Sequence, residues 1–192
     1  MSTQPLTPSE SIELIQQAIK NAKERFEENG VMFMFWGVLV GMASFVQYYL
    51  ITIDQAEISW YPYLILPIGS VFSFFYKAKE ERKVHNPLGN ITATLWIGIG
   101  INLFLLAFAF YPMLLGNLVP IILILLALGM LVSGSIIRSR LLIFSGIGIN
   151  IAAYSCFFLS WEFHPLVNGI IAIFGVFLPG LLFFIKQKKQ HV

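Results

Sequence analysis

Six long apolar stretches alternate with short polar connections along this chain. They run from about 31 to 53, 59 to 76, 91 to 111, 118 to 137, 141 to 160 and 166 to 185. Each holds about twenty residues, enough for an α-helix rising 1.5 Å per residue to cross ~30 Å of hydrocarbon. Barrel strands are half as long and alternate polar with apolar, which these stretches do not. Helices also satisfy their own backbone groups, as lipid requires. The pattern therefore predicts an all-α membrane protein of six transmembrane helices, arranged as three helical hairpins over residues 31–185.

A polar segment precedes them. Thr7-Pro8-Ser9-Glu10 has the form of a helix start, with Thr7 as cap, Pro8 in the first helical position and Glu10 as the capping-box partner. Ile12, Ile15, Ile19, Ala22 and Phe26 then recur at helical spacing. Leu14 and Ala18 widen that stripe, and Gln16, Gln17, Asn21, Glu24, Glu27 and Glu28 lie opposite. Residues 1–30 thus form an N-terminal segment with an amphipathic helix, ending near Asn29-Gly30, a helix stop or hinge. Its acidic end argues against tight binding to anionic lipid, since interfacial helices favour lysine and arginine. Residues 8–29 are expected to pack on the cytoplasmic loops or on a cytoplasmic protein partner. There is no basic patch followed by a short apolar core, so no cleavable signal peptide is expected.

The connections carry a sign pattern. Lys20, Lys23 and Arg25 precede the first stretch. Lys77, Lys79, Arg82 and Lys83 follow the second, and Arg138 and Arg140 follow the fourth. Lys186, Lys188 and Lys189 fall in the tail, residues 186–192. The other connections carry none. By the positive-inside rule, both termini are expected in the cytoplasm. Trp60, Tyr61 and Tyr63 would then form an aromatic belt at the outer interface.

Composition agrees. The chain is 57% hydrophobic and 11% charged, with mean hydropathy +0.78. Soluble domains carry roughly a quarter charged residues, and one of this size could not hide so much apolar surface. A net charge of +2 is too small to suggest nucleic acid. Cys156 is the single cysteine, which excludes an intrachain disulfide and a thiolate metal cluster. It should pack as a small hydrophobe.

Candidate chemistry is sparse. Gly98-Ile99-Gly100-Ile101-Asn102 recurs as Gly146-Ile147-Gly148-Ile149-Asn150, each copy just after a basic connection. Shared ancestry of the hairpins and chance in a biased composition both remain open. Gly37 and Gly41 form G-x-x-x-G. These small residues serve close packing within the bundle or the seam of a homo-oligomer. Asn102 and Asn150 are expected to face the bundle interior. There they would bond across helices, or line a cavity with Gln47, Tyr154, Ser44, Ser133 and Ser135. No Asp, Glu, Lys, Arg or His lies deep in a span, which disfavours an ion-coupled transporter. Asp54, Glu57, Glu162 and His164 share the outer face and make a candidate metal or headgroup site. His85, His164 and His191 sit in separate loops, which excludes a paired haem site within the bilayer. No catalytic motif or cofactor fingerprint is present, so neither an enzyme nor a bound cofactor is expected. Pro67 and Pro179 lie inside spans, where a proline kinks a helix.

The stretch from Ser9 to Tyr49 contains Ile-Glu-Leu-Ile, Asn-Ala-Lys-Glu-Arg-Phe, Phe-Trp-Gly and Phe-Val-Gln-Tyr-Tyr-Leu. With the six-span topology it resembles a group of membrane proteins of Bacteroidetes-type bacteria that has no established activity. The resemblance implies a location in the bacterial inner membrane and carries over no functional residues. Two functions lead: an accessory or regulatory membrane protein working through a cytoplasmic partner, or a small carrier of an uncharged or lipophilic solute; a membrane enzyme acting on lipid headgroups through Glu162 and His164 ranks behind both.

Overall fold

The computed structural model describes residues 7–28, 30–80, 87–110, 113–114 and 116–190. Asn29, His85 and His191 lie outside them. The described chain is all-helical. Its elements are α1 (Pro8–Glu28), α2 (Gly30–Thr52), α3 (Ile65–Glu80), α4 (Pro87–Phe108), α5 (Leu118–Ile136), α6 (Arg140–Cys156), α7 (His164–Ile171) and α8 (Leu178–Gln190). Two 3-10 turns, Ala56–Ile58 and Tyr61–Leu64, lead into α3. A π-helical turn, Ala172–Phe177, joins α7 to α8 in one continuous last span.

Five segments are long and apolar enough to cross a membrane: Gly30–Thr52, Ala56–Tyr76, Asn90–Phe108, Leu118–Ile136 and Trp161–Lys188. α6 is apolar but has 17 residues, roughly 25 Å at 1.5 Å each. Large apolar side chains cover the outside, among them Phe74, Phe75, Phe104, Phe144 and Phe158. Water would not tolerate that surface on a single chain.

The local signals in the N-terminal segment are realised. Glu10 Oε2 accepts from the Thr7 backbone N–H and hydroxyl, each at 2.8 Å. The Glu10 N–H donates back to Thr7 Oγ1 at 3.3 Å. These bonds hold the Glu10 carboxyl below its ordinary range, the backbone bond first. The cap is therefore worth most above the ordinary carboxylate range and is lost as pH falls through the lowered value. α1 packs on α4 and α8 at the basic end of the bundle.

Two close helix pairs form the centre. α5 lies along α6, and α2 lies along the whole last span. The hairpin expectation needs correcting here: α6 packs chiefly on α5, and the last span packs chiefly on α2 rather than on α6. The reason is backbone approach. A Cβ on Gly180 would sit 2.7 Å from the Gly30 carbonyl oxygen and 2.8 Å from the Met34 nitrogen. One on Gly37 would sit 2.6 Å from the Phe177 nitrogen and 2.8 Å from the Ala172 oxygen. One on Gly134 would sit 2.9 Å from the Ile143 nitrogen, closing α5 onto α6. The G-x-x-x-G of α2 thus packs within the chain. α3 and α4 are peripheral, with 11% of their apolar windows buried against 33% in α2 and 39% in α5.

The turns also have physical causes. α5 ends in a Schellman closure: the Ser139 N–H donates to Gly134 O at 2.8 Å and the Arg138 N–H to Ser135 O at 3.4 Å. Arg138 takes the left-handed position at φ 52°, where an L-residue other than glycine costs about 1–2 kcal/mol. α2 ends the same way around Asp54, φ 59°, a residue better suited to that region. Pro67 falls in the first turn of α3, directly after a 3-10 turn, so it interrupts no helix interior. Pro179 does interrupt one. The wider π turn just before it gives room to the carbonyl that the proline ring would otherwise strike.

The glycine contacts sort into two groups with opposite expected outcomes. Gly37→Ala and Gly180→Ala should each lower thermal stability in detergent by about 1–3 kcal/mol through overpacking. Gly98→Ala and Gly148→Ala meet nothing within 4 Å and should be neutral or stabilising by up to about 1 kcal/mol. Equal melting shifts in both groups would contradict this packing.

Candidate functional site

The described side chains hold two buried polar clusters, and neither is the one the sequence suggested. The first joins α2, the turn before α3, and α7. Ser44 is fully buried. Its hydroxyl donates to Val40 O at 2.7 Å, which uses its one proton. Asn168 Nδ2 donates to Ser44 Oγ at 2.8 Å across 124 residues of chain. Tyr63 Oη lies 3.0 Å from the same oxygen and must be the donor, since the serine proton is already given away. Ser44 is thus satisfied on every side. Tyr63, assigned to the aromatic belt from sequence, turns inward to do this, while Trp60 and Tyr61 remain exposed.

The second cluster is centred on His164, which is 3% exposed. Its Nδ1 lies 3.1 Å from Gly116 O. Its Nε2 lies 2.8 Å from Cys156 O and 3.3 Å from Leu159 O. The ring therefore sits between the turn before α5 and the end of α6, where the Tyr154, Ser155 and Cys156 carbonyls already accept backbone N–H groups. Gly116 takes φ +85° beside the Trp161 side chain, a backbone shape that suits glycine.

This corrects the outer-face expectation. Asp54, Glu57 and Glu162 are exposed, whereas His164 points into the bundle with both ring nitrogens beside backbone oxygens. Among the described residues, no group of three His, Cys, Asp or Glu is placed to hold a metal.

The two asparagines of the repeat part company. Asn102 is exposed and its Nδ2 donates to Gly98 O of its own helix at 2.8 Å. The expectation that it faces the interior is not met, because α4 is peripheral and turns that flank outward. Asn150 is half-buried and its Oδ1 is buried without a protein hydrogen-bond partner. Gln47 Oε1 is in the same position. Tyr154 is exposed, stacked near Phe157 at 6.5 Å between centroids. Ser133 is buried but accepts from Trp96, and Ser135 donates to Leu131 O of its own helix. These residues do not line one shared cavity. Cys156 is fully buried, as a small hydrophobe would be.

Two bonds missed in the sequence reveal a better repeat. Trp36 Nε1 donates to Ser73 Oγ and Trp96 Nε1 to Ser133 Oγ, both at 3.1 Å and both across 37 residues. The same donor, acceptor and separation link α2 to α3 and α4 to α5. The tryptophan–serine spacing was readable in the sequence. The signal for Asn168 was weaker: a single amide within an apolar run.

Comparison with protein-family models, with curated proteins and with solved structures gave no match.

The arrangement binds helices together. Asn168→Leu should cost about 1–3 kcal/mol, because it removes a donor from a buried hydroxyl cluster. His164→Leu should cost a similar amount, and Asn102→Leu should be near neutral. Detergent melting curves of the three variants check this ranking; a large loss for Asn102→Leu alone would contradict it.

Proposed function

We propose that this is an integral protein of the bacterial inner membrane that crosses it six times, with both termini in the cytoplasm. It acts as a non-enzymatic accessory or regulatory protein through a cytoplasmic protein bound by α1. Six crossings are favoured over five because an odd number would divide the basic groups between the two faces. α6, though short, is followed by apolar residues Phe157 to Leu159 that extend it.

One observation carries the functional reading. The apolar stripe of α1 is half-covered at Ala18 and Ile19, then runs past the bundle to Ile15 and Ile12, which are 60% and 57% exposed. Exposed isoleucines at helical spacing on a capped helix suit docking into an apolar groove of another protein. Glu10 stays ionised at this tip and Glu13 lies beside it, so an anionic membrane surface is a poor competitor for the stripe.

The double variant Ile12→Glu/Ile15→Glu tests this. Both positions are exposed, so its melting curve should match the wild type. A cytoplasmic protein recovered with the tagged wild type from gently solubilised native membranes should fall at least about tenfold with the variant, the equivalent of 1.4 kcal/mol. Equal recovery from both would contradict the role of α1.

Gln47 Oε1 and Asn150 Oδ1 favour a second reading, a carrier whose solute donates hydrogen bonds to them. It requires solute flux in proteoliposomes that falls when Gln47→Leu is introduced; no difference between the two proteins would remove it.

A further inference from the structure

An amide that the single chain leaves facing lipid stands within α4. This helix belongs to the Asn90–Phe108 segment, which is long and apolar enough to cross a membrane. Asn102 stands ~18 Å along that segment at 1.5 Å per residue, inside ~30 Å of hydrocarbon. It is exposed, and its one side-chain hydrogen bond among the described residues runs from Nδ2 to Gly98 O of its own helix at 2.8 Å. An amide has two N–H donors and an oxygen with two lone pairs. One N–H and the whole of Oδ1 are therefore left over, and hydrocarbon gives them nothing to bond.

The face around this amide admits a close neighbour. Thr94, Gly98 and Asn102 follow at four-residue steps, so they share one flank of the helix. Ile101 and Leu105 lie beside them and are exposed. Trp96 and Ile99 point the other way, onto Ser133 and Gly129 of α5. Among the described elements α4 packs on α5 and, at the basic end, on α1, which leaves the Asn102 flank uncovered. A Cβ on Gly98 would meet nothing within 4 Å. Another main chain can thus come against Gly98 as closely as α2 and the last span meet at Gly37 and Gly180. The glycine permits the approach; the unspent amide beside it calls for a partner with hydrogen-bonding groups at the same depth.

A second copy of this chain meets that need. A different membrane protein would have to carry a polar group at that level, whereas a second copy carries one by construction. An amide is its own complement, donor to acceptor. Two copies in one bilayer share an orientation, so a two-fold axis along the membrane normal sets α4 parallel to its counterpart with equal levels together. We propose that the chain forms a homodimer through α4, in which the two Gly98 backbones meet and the two Asn102 amides exchange hydrogen bonds. Gly37 of α2 is already occupied within the chain, so the seam lies on α4. The dimer rests on α4 crossing the membrane. It does not depend on which end of the bundle is cytoplasmic or on a protein bound by α1.

The test uses the full chain in phosphatidylcholine liposomes, because detergent competes with contact between helices. Donor- and acceptor-labelled copies, each labelled at Ser9→Cys in the Cys156→Ser protein, are mixed, and energy transfer is followed as the protein is diluted with lipid. Asn102→Leu keeps the fold of the single chain, since the amide bonds only its own helix. It should nevertheless lose transfer at a protein density at least about tenfold higher than the parent does, the scale of an interhelical amide bond made twice by symmetry. Gly98→Ile should abolish transfer by holding the two backbones apart. Gly148 on α6 is equally open but has Phe144 and Ile151 beside it, both exposed, so Gly148→Ile should leave transfer unchanged. Transfer no higher than that of randomly mixed monomers, an unshifted midpoint in Asn102→Leu, or an equal loss in Gly148→Ile would each overturn the homodimer.

Discussion

Backbone meets backbone where α2 crosses the last span, and the rest of the bundle is arranged around that contact. Gly30 and Gly180 face one another so closely that a methyl group on either would strike the other's main chain. Gly37 does the same against the π turn at Phe177. In lipid there is no hydrophobic force to drive two apolar helices together, so close van der Waals fit and interhelical hydrogen bonds must do it. The approach brings Asn168 within reach of Ser44, which in turn draws Tyr63 inward. Glycine contact and polar cluster are thus parts of one interface. The second tight pair, α5 with α6, uses the same means at Gly134 and Gly146. α3 and α4 lie outside these pairs and are held to them by the matching tryptophan–serine bonds.

Much of this was legible in the sequence because membranes impose long apolar runs with sharp polar borders. The predicted starts of α1, α2 and α5 lie within a residue of the observed ones. The capping box at Thr7 was readable because its geometry is local. Partner choice was not readable. A pattern of apolar residues has no sidedness when a helix is greasy all round, so nothing in α2 announced the last span as its neighbour. The same blindness affected Asn102 and Asn150. Their identical local sequences hide different surroundings, one on an outward flank and one in a partly covered face. His164 was read beside three carboxylates because they share a connection face. The fold turns it inward, where carbonyls at the end of α6 and at Gly116 lie within hydrogen-bond distance of its ring.

Ser44, Tyr63, Asn168 and the two tryptophan–serine pairs hold helices together inside the bundle, whereas Gln47 Oε1 and Asn150 Oδ1 are left without a protein partner. At the basic end α1 packs on α8 and runs past the bundle with its isoleucines uncovered.

The proposed function rests on the basic end being cytoplasmic. Substituted-cysteine labelling of the Cys156→Ser protein in spheroplasts, with a membrane-impermeant maleimide, measures that directly. The account predicts that Asp54→Cys and Glu162→Cys label in intact spheroplasts, whereas Ser9→Cys and Lys188→Cys label only after the membrane is opened. Labelling of Ser9→Cys or Lys188→Cys in intact spheroplasts would contradict it.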